Sequence, residues 1–345
     1  MRKILRISMF SLICLYFVVN GLNSGPQSAF AEAPVIIKFA TLAPEGSTWT
    51  NELREIDKEL QQKSGGKIRL KIYAGGVQGD EKDVVRKMRI GQTHCAGFTG
   101  VGLGEILPEI RIFDLPFFLN TYEEVDHVRN KFRERFAKRF AEKGFVFLGW
   151  TEVGFVHFFS NVNVKTLDDL RALKMWMWEG DPLANVLFKS IHLSPIPLAI
   201  TDVITSLQTG LIDSLYVSPL GLIALQWFEK VKYILDVPMA DATGAILITK
   251  KQFNRVPPEW QQMMLDTFRV HTDNLLSIVR RDNGKSEEVL KQTGIEIASM
   301  DDKSTEELKN AGKVVREKLA GNLYSKELLD SISAEIEKFR AMEAK

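Results

Sequence analysis

Cysteine is scarce in this chain: among its 345 residues there are two, Cys14 and Cys95. Cys14 falls inside an apolar N-terminal run, which leaves Cys95 as the one cysteine beyond it. A single cysteine cannot form an intrachain disulfide, so we expect the hydrophobic core alone to stabilise the fold. For an exported chain, this favours a bacterial periplasm over a eukaryotic secretory route.

The N-terminal apolar run is too short to cross a membrane. It covers positions 7–19, whereas a spanning helix needs roughly 20 apolar residues. The run follows the basic residues Arg2, Lys3 and Arg6 and precedes the small-x-small sequence Ala29-Phe30-Ala31. These features predict a secretory signal peptide over positions 1–31 and export to the periplasm.

The chain has no large excess of either charge. Three of its 45 Lys and Arg residues lie in positions 1–31 and none of its 44 Asp and Glu residues does, which leaves 42 basic against 44 acidic residues and a net charge of −2. Near-neutrality gives no electrostatic reason to expect nucleic acid or an anionic membrane as a partner.

The residue clusters that catalysis or metal binding requires are also missing. No two of the five histidines stand at metal-ligand spacing, and there is no Gly-x-Ser-x-Gly motif. The acidic stretch at 79–83 lacks the alternating oxygen ligands of a calcium loop. Adjacent strand residues point to opposite faces, so His94 beside Cys95 indicates an inert structural cysteine, and we interpret His157 as a hydrogen-bonded structural histidine. We therefore expect no enzyme, no cofactor and no metal.

Strand and helix patterns alternate through residue 249, and helices follow from residue 257 onwards. This order predicts an α/β fold in two lobes, each a mixed, mostly parallel sheet flanked by helices. We place lobe 1 at 32–152, with about 245–275 returning to it, and lobe 2 at 153–244. The helical C-terminal region, 257–345, is expected to contribute to both lobes, and a ligand would bind in the cleft between them.

Residues 174–182 read Lys-Met-Trp-Met-Trp-Glu-Gly-Asp-Pro. Side chains on a strand alternate, so Met175 and Met177 should face one way and Trp176 and Trp178 the other. Two interpretations fit this pattern. Both tryptophans are packed between sheet and helix, which burial statistics favour, or their face lines a cleft.

Several segments carry a family resemblance through their sequences and their order. They are Gly-Gly-Val-Gln-Gly-Asp-Glu at 75–81, Pro-Glu-Ile-Arg-Ile-Phe-Asp-Leu-Pro-Phe at 108–117, Thr-Leu-Asp-Asp-Leu at 166–170 and Ser-Leu-Gln-Thr-Gly-Leu-Ile-Asp at 206–213. Together they resemble the extracytoplasmic solute receptors of tripartite ATP-independent periplasmic (TRAP) transporters, the DctP-like proteins. The resemblance implies a two-lobed periplasmic binding protein that closes on a small molecule and delivers it to a TRAP-type membrane permease.

The residues with which this family usually holds organic acids differ here. The resemblance places the carboxylate-binding arginine at Trp176 and a second arginine at Val156, and the expected asparagine is absent from 215–218. An ionised carboxylate without a guanidinium partner is costly to bury, so we predict a largely hydrophobic, lipid-like ligand. The predicted cleft wall consists of Trp176, Trp178, Val156, Phe158, Ile200, Tyr216, Val217, Ser218, Trp49, Phe98 and Phe117.

Two alternatives stay open. An ordinary carboxylate receptor could use a relocated cation, for which Lys174, Arg111 and Arg171 are available, although a solvated or structural role is the commoner fate of such residues. The second alternative is a ligand sensor that acts through a partner protein. Some branches of the family that resemble this pattern work beside a tetratricopeptide-repeat protein, which we include among the expected partners by analogy.

Overall fold

The computed structural model of the chain describes residues 33–343. The signal peptide predicted at 1–31 lies outside the described residues. Within that range, no helix combines the length and the apolar character needed to cross a bilayer. Residues from Val35 onwards form one compact unit.

The strands, numbered in chain order, follow the hydrophobic segments of the sequence. They are β1 Val35–Ala40, β2 Ile68–Tyr73, β3 Cys95–Thr99, β4 Phe145–Phe155, β5 His157–Ser160, β6 Trp176–Trp178, β7 Ile196–Leu198, β8 Ser214–Val217, β9 Tyr233–Leu235, β10 Asp241–Thr249 and β11 Glu296–Ala298.

Helices occupy most of the intervening chain and nearly all of its C-terminal part. They are α1 Thr48–Lys63, α2 Glu81–Arg89, α3 Gly100–Ile106, α4 Tyr122–Glu142, α5 Leu167–Arg171, α6 Pro182–Ser190, α7 Val203–Thr209, α8 Pro219–Ala224, α9 Lys250–Phe253, α10 Pro258–Gln292, α11 Asp302–Leu319 and α12 Lys326–Glu343. Short 3₁₀ helices lie at Pro108–Asp114, Ile200–Asp202 and Phe228–Lys230.

The first lobe is built on a five-stranded sheet of order β2-β1-β3-β10-β4. β1 pairs with β2 and β3 in parallel, as the βαβ pattern predicts, whereas β10 pairs antiparallel with both β3 and β4. The sheet is therefore mixed, because the strand that returns from the second lobe enters it in the opposite direction.

The second lobe contains a four-stranded sheet of order β11-β9-β5-β8 and a small parallel pair, β6 and β7. The fold class predicted from the sequence, two α/β lobes with mixed sheets and a helical end, is confirmed. The sheet of the second lobe is not mostly parallel as predicted, because β5 pairs antiparallel with both β8 and β9. The boundaries proposed for the lobes stay a prediction. Strand β4 continues to Phe155, and α10 packs against β4, α1 and α8.

Local signals in the sequence explain several helix starts. Ser47 accepts a hydrogen bond from the Thr50 backbone N–H and caps α1, as its position predicts. Asp80 caps α2, and Thr166 forms a capping box with Asp169 at the start of α5. The caps at Ser47 and Asp80 fix the first turns of α1 and α2, which contribute Trp49 and Glu81 to the cavity wall.

The glycine-rich stretch at 100–104 forms helix α3, which sequence reasoning did not predict. Its glycines allow close packing against charged side chains: a Cβ at Gly100 would lie 1.7 Å from Asp114 Oδ2, and one at Gly102 would lie 2.7 Å from Glu81 Oε2. The stretch therefore serves packing, and it brings Glu81 and Asp114 to one side of the cleft.

A buried ion-pair cluster joins the returning strands to two long helices. Arg129 of α4 is 1% exposed, and its Nη2 lies 2.5 Å from Glu152 Oε2 of β4. Arg280 of α10 binds the same carboxylate at 2.6 Å and also binds Asp126 at 2.6 Å. Removing one partner of such a cluster leaves an uncompensated buried charge.

We therefore expect Arg129→Met to lower the free energy of unfolding by about 3–5 kcal/mol, since Glu152 would lose a buried cation. Urea unfolding followed by tryptophan fluorescence measures this change. Arg281→Met is the matched control, because the Arg281 side chain is 58% exposed and its loss should change stability by no more than about 0.5 kcal/mol. Equal effects of the two substitutions would contradict a stabilising role for the cluster.

Candidate functional site

A cavity of about 240 Å³ lies between the two lobes. The first lobe contributes β1, α1 and β3 with the loops that follow them, and the second contributes β6, α6, β8 and α8. Aromatic side chains form much of its wall: Phe39, Trp49, Phe98, Trp176, Trp178, Phe188, Tyr216 and Trp227. A cavity of this kind favours a ligand with extensive apolar surface.

The tryptophan strand β6 lines this cavity. Met175 and Met177 belong to one hydrophobic cluster and Trp176 and Trp178 to another, so the alternation predicted from the sequence is confirmed. Trp176 is only 2% exposed and stacks on Tyr216, with ring centroids 5.0 Å apart. The two interpretations of the sequence are therefore not exclusive, since Trp176 is both buried and part of the wall.

Hydrogen bonds fix the orientation of both indole rings. Trp176 Nε1 donates to Leu198 O at 3.1 Å, and Trp178 Nε1 donates to Asp80 Oδ2 at 3.0 Å. Asp80 Oδ2 also accepts the Ile200 backbone N–H at 3.1 Å. Asp80 belongs to the first lobe and the Trp178 and Ile200 donors belong to the second, so this carboxylate connects the lobes beside the cavity.

Arg111 is the one Lys or Arg side chain in the wall among the described residues. Its Nε donates to Asp114 at 2.8 Å and its Nη2 to Asp181 at 3.1 Å. Arg111 is 4% exposed, so of the two roles expected for it from the sequence it has the structural one and does not lie on a solvated face. Two carboxylates already compensate its charge, which leaves little attraction for an anionic ligand.

Carboxylates dominate the charged part of the wall. Glu81, Asp114, Glu152, Asp181 and Asp241 all contribute to it. Glu81 accepts three hydrogen bonds, from Thr99 N, Thr99 Oγ1 and Gly102 N, at 2.7–2.8 Å. Burial nevertheless raises the pKa of Glu81 to about 7 and that of Asp114 to about 6.

Most residues predicted for the wall lie in it. The structure brings together Trp49, Phe98, Val156, Trp176, Trp178, Ile200, Tyr216, Val217 and Ser218. Whether each contacts a ligand stays a prediction.

Two predicted residues, Phe158 and Phe117, lie outside the wall. Phe158 is buried behind it, packed against Phe188 with ring centroids 6.3 Å apart. Phe117 adopts a left-handed backbone with φ 56°, and its ring packs against α11, where a Cβ at Gly312 would lie 2.8 Å from it. The neighbouring Pro116 lines the cavity instead.

Sequence reasoning missed the acidic members of the wall. Asp181 follows the tryptophans in the Gly-Asp-Pro turn and caps α6, and Asp114 stands three residues after Arg111. The Gly-Asp-Pro turn and the three-residue spacing between Arg111 and Asp114 are both visible in the sequence and could have indicated these two acidic residues. Asp241 and Glu152 carry no local signal, because only the pairing of β10 with β4 brings them together.

The candidate relocated cations lie apart from the cavity, except for Arg111. Lys174 Nζ donates to Gly210 O at 3.1 Å, and Arg171 donates to Ile191 O and Asp168. Neither belongs to the wall. The carboxylate alternative therefore depends on Arg111 alone.

The remaining reactive side chains have structural surroundings. Cys95 is buried, which raises the pKa of its thiol, and His94 Nδ1 accepts the Lys38 backbone N–H at 3.2 Å. His157 is bonded to Leu235 O at 3.1 Å, and burial lowers its pKa. Within residues 33–343, no group of three or more His, Cys, Asp or Glu side chains is arranged to hold a metal ion.

Comparison with known proteins identifies the family. The family profile described as bacterial extracellular solute-binding protein, family 7 (DctP), matches residues 39–322. The chain belongs to this family. Its members are periplasmic solute receptors of TRAP transporters, which bind small molecules and work with a membrane permease.

Relatives extend over most of the chain. A solute-binding protein of Verminephrobacter eiseniae is 28% identical over 254 residues, 72% of this chain and 74% of the relative. The 2,3-diketo-L-gulonate-binding periplasmic protein YiaO of Escherichia coli is 24% identical over 241 residues, 69% of this chain and 73% of that protein.

A solved structure supports the two-lobed DctP fold. The sugar acid binding protein DctPAm of Advenella mimigardefordensis, in complex with galactonate, superposes with a TM-score of 0.83 at 19% identity and covers 89% of this chain and 99% of that one. This similarity shows that the two chains share a fold, and galactonate is the ligand of DctPAm.

The buried Glu81 predicts a pH-dependent stability. Between its usual pKa near 4.5 and its folded value of about 7, the native state keeps a proton that the unfolded state has lost. The free energy of unfolding should therefore fall by about 1.4 kcal/mol per pH unit as pH rises from about 5 to 7. Glu81→Gln should lack this contribution.

Urea unfolding at several pH values compares the two proteins. The difference in unfolding free energy between wild type and Glu81→Gln should change steadily across this window. The matched control is Glu55→Gln, because the Glu55 side chain is 57% exposed and its substitution should leave the pH profile parallel to that of wild type. A parallel profile for Glu81→Gln as well would refute the expectation.

Proposed function

We propose that this TRAP receptor binds a largely hydrophobic, lipid-like ligand in the cavity between its lobes and delivers it to its membrane permease. One observation carries the proposal: the single guanidinium in the wall, Arg111, is bound to two carboxylates. Trp176 meanwhile stands where the family resemblance places a carboxylate-binding arginine. The site thus offers aromatic surface in place of a compensating charge.

Energetics favour this assignment over an organic acid. A bidentate guanidinium is the usual partner of a buried carboxylate, and without one the ligand would lose several kcal/mol on leaving water. An apolar ligand avoids that cost. Burying about 300 Å² of its apolar surface contributes roughly 7 kcal/mol before the entropy of binding is subtracted. A micromolar dissociation constant needs about 8.2 kcal/mol, so apolar burial alone supports weaker than micromolar affinity, and a preorganised cavity keeps the entropy cost small.

A second candidate function, a receptor for organic acids, rests on one nitrogen atom of Arg111. Arg111 Nη1 has no hydrogen-bond partner among the described residues, and a carboxylate oxygen is a possible acceptor. Several relatives of this fold are described with sugar acids, such as D-glucuronate in a protein of Pseudomonas putida. In this chain Asp114 and Asp181 would repel such a ligand, which makes the apolar assignment the stronger one.

A test of the ligand class is native mass spectrometry of the protein after gentle purification, followed by extraction into organic solvent. We expect a retained molecule that enters the organic phase. A retained sugar acid or other small polar acid would contradict the proposal. A tetratricopeptide-repeat partner, also part of the proposal, would be tested by co-purification from the native host.

Val156→Arg should weaken retention of the apolar molecule at least tenfold. Val156 is half-buried and lines the cavity, so the substitution places a guanidinium there without removing a large core side chain. The retained fraction in the native mass spectrum measures the effect. Val162→Arg is the matched control, since Val162 is 48% exposed. Unchanged retention in Val156→Arg would place the ligand elsewhere.

A further inference from the structure

The proposed apolar ligand leaves open which polar group it carries, and the charges around the cavity bear on this choice. The wall contains five carboxylates and one guanidinium. Behind it lie Arg129 and Arg280, and both are bound to Glu152, while Arg280 also binds Asp126. Even with these two cations included, carboxylates outnumber guanidinium groups. Burial raises the pKa of Glu81 and of Asp241 to about 7 and that of Asp114 to about 6, so protonation removes part of this negative charge at neutral pH, and the partners of each carboxyl group matter more than their number.

One of these carboxylates has an oxygen without a partner. Asp241 is fully buried at the start of β10, and its Oδ2 accepts a hydrogen bond from Thr243 Oγ1 at 3.0 Å. Its Oδ1 has no hydrogen-bond partner within residues 33–343, whereas Oδ2 also forms an ion pair with Arg129 Nη1 at 3.8 Å. A buried acceptor of this kind costs free energy until a donor reaches it.

Asp241 belongs to the cavity wall and lies at the end of the cavity where the lobes join. Its strand pairs there with Phe155, the last residue of β4, and Val156 follows and bonds to Ala240 O. Asp114 is linked to the same region, because its Oδ1 accepts the Thr243 backbone N–H at 3.2 Å. Asp241 and Asp114 thus belong to one part of the wall, next to the segments that connect the lobes.

We infer that the ligand carries no negative charge, and that its polar group is a hydrogen-bond donor, a hydroxyl or an ammonium, directed at Asp241. A donor compensates the unpartnered oxygen, whereas a carboxylate head group would add a like charge beside Asp241 and Asp114. The inference rests on the proposed function, since it concerns the head group of the same apolar ligand.

The experiment uses three unbranched probes of eight carbon atoms each: octan-1-ol, octylamine and octanoate. Isothermal titration calorimetry of the purified wild-type protein at neutral pH and low ionic strength gives a dissociation constant for each. We expect octanoate to bind at least about tenfold more weakly than the alcohol and the amine. Octanoate binding as tightly as the other two would overturn the inference and leave the proposed apolar ligand intact.

Failure of the proposed function gives a different result. If none of the three compounds binds, the cavity is not an apolar ligand site, and the head-group inference falls with it. A fatty acid retained through purification would support the proposed function and overturn the head-group inference.

Asp241→Asn tests the residue itself. The amide oxygen can still accept from Thr243, while its NH₂ group replaces the unpartnered Oδ1 with a donor. We expect octylamine to bind about tenfold more weakly to this variant and the disadvantage of octanoate to shrink. Asp168→Asn, whose side chain is 85% exposed, is the matched control and should bind all three compounds as wild type does. An unchanged order of affinities in Asp241→Asn would overturn the assignment of this residue.

Discussion

The buried pairing of Arg129 with Glu152 is the interaction on which the rest of the structure depends. It fixes α4 to β4 in the first lobe, and Arg280 extends it to α10, the helix that packs along both β4 and α8. The same cluster lies directly behind the ligand cavity, because Glu152 and Asp241 belong to the wall. A structural requirement of the fold therefore sets the charge of the site.

This requirement explains why, within residues 33–343, the cavity wall contains no Lys or Arg side chain without a carboxylate partner. Arg129 and Arg280 compensate carboxylates of the framework, and Arg111 compensates Asp114 and Asp181. In a low-dielectric interior a guanidinium bound to two carboxylates offers little further attraction to an anion. The DctP fold is retained here, and Trp176 of β6 and Val156 after β4 contribute apolar side chains to the wall of its cavity.

Much of the architecture could be predicted because it follows from local patterns. The alternation at 175–178 predicted which side chains share a face, and the cap at Ser47 predicted the start of α1. The helical character of 100–106 was missed, since glycines are poor helix formers and the helix depends on packing against Glu81 and Asp114. Phe117 was misplaced because its left-handed backbone conformation turns its ring toward α11.

The sequence by itself determined the family, the order of most strands and helices, and the alternation of methionine and tryptophan side chains at 175–178. These are properties of short segments, in which hydrophobic periodicity and turn residues act over a few positions. Only the tertiary structure decided that Arg111 is paired with Asp181, seventy residues away, and that the fully buried Asp241 belongs to the cavity wall and has one oxygen without a hydrogen-bond partner within residues 33–343. The physical reason is that the charge state and pairing of buried groups depend on neighbours brought together by strand pairing and lobe closure, which no local pattern encodes.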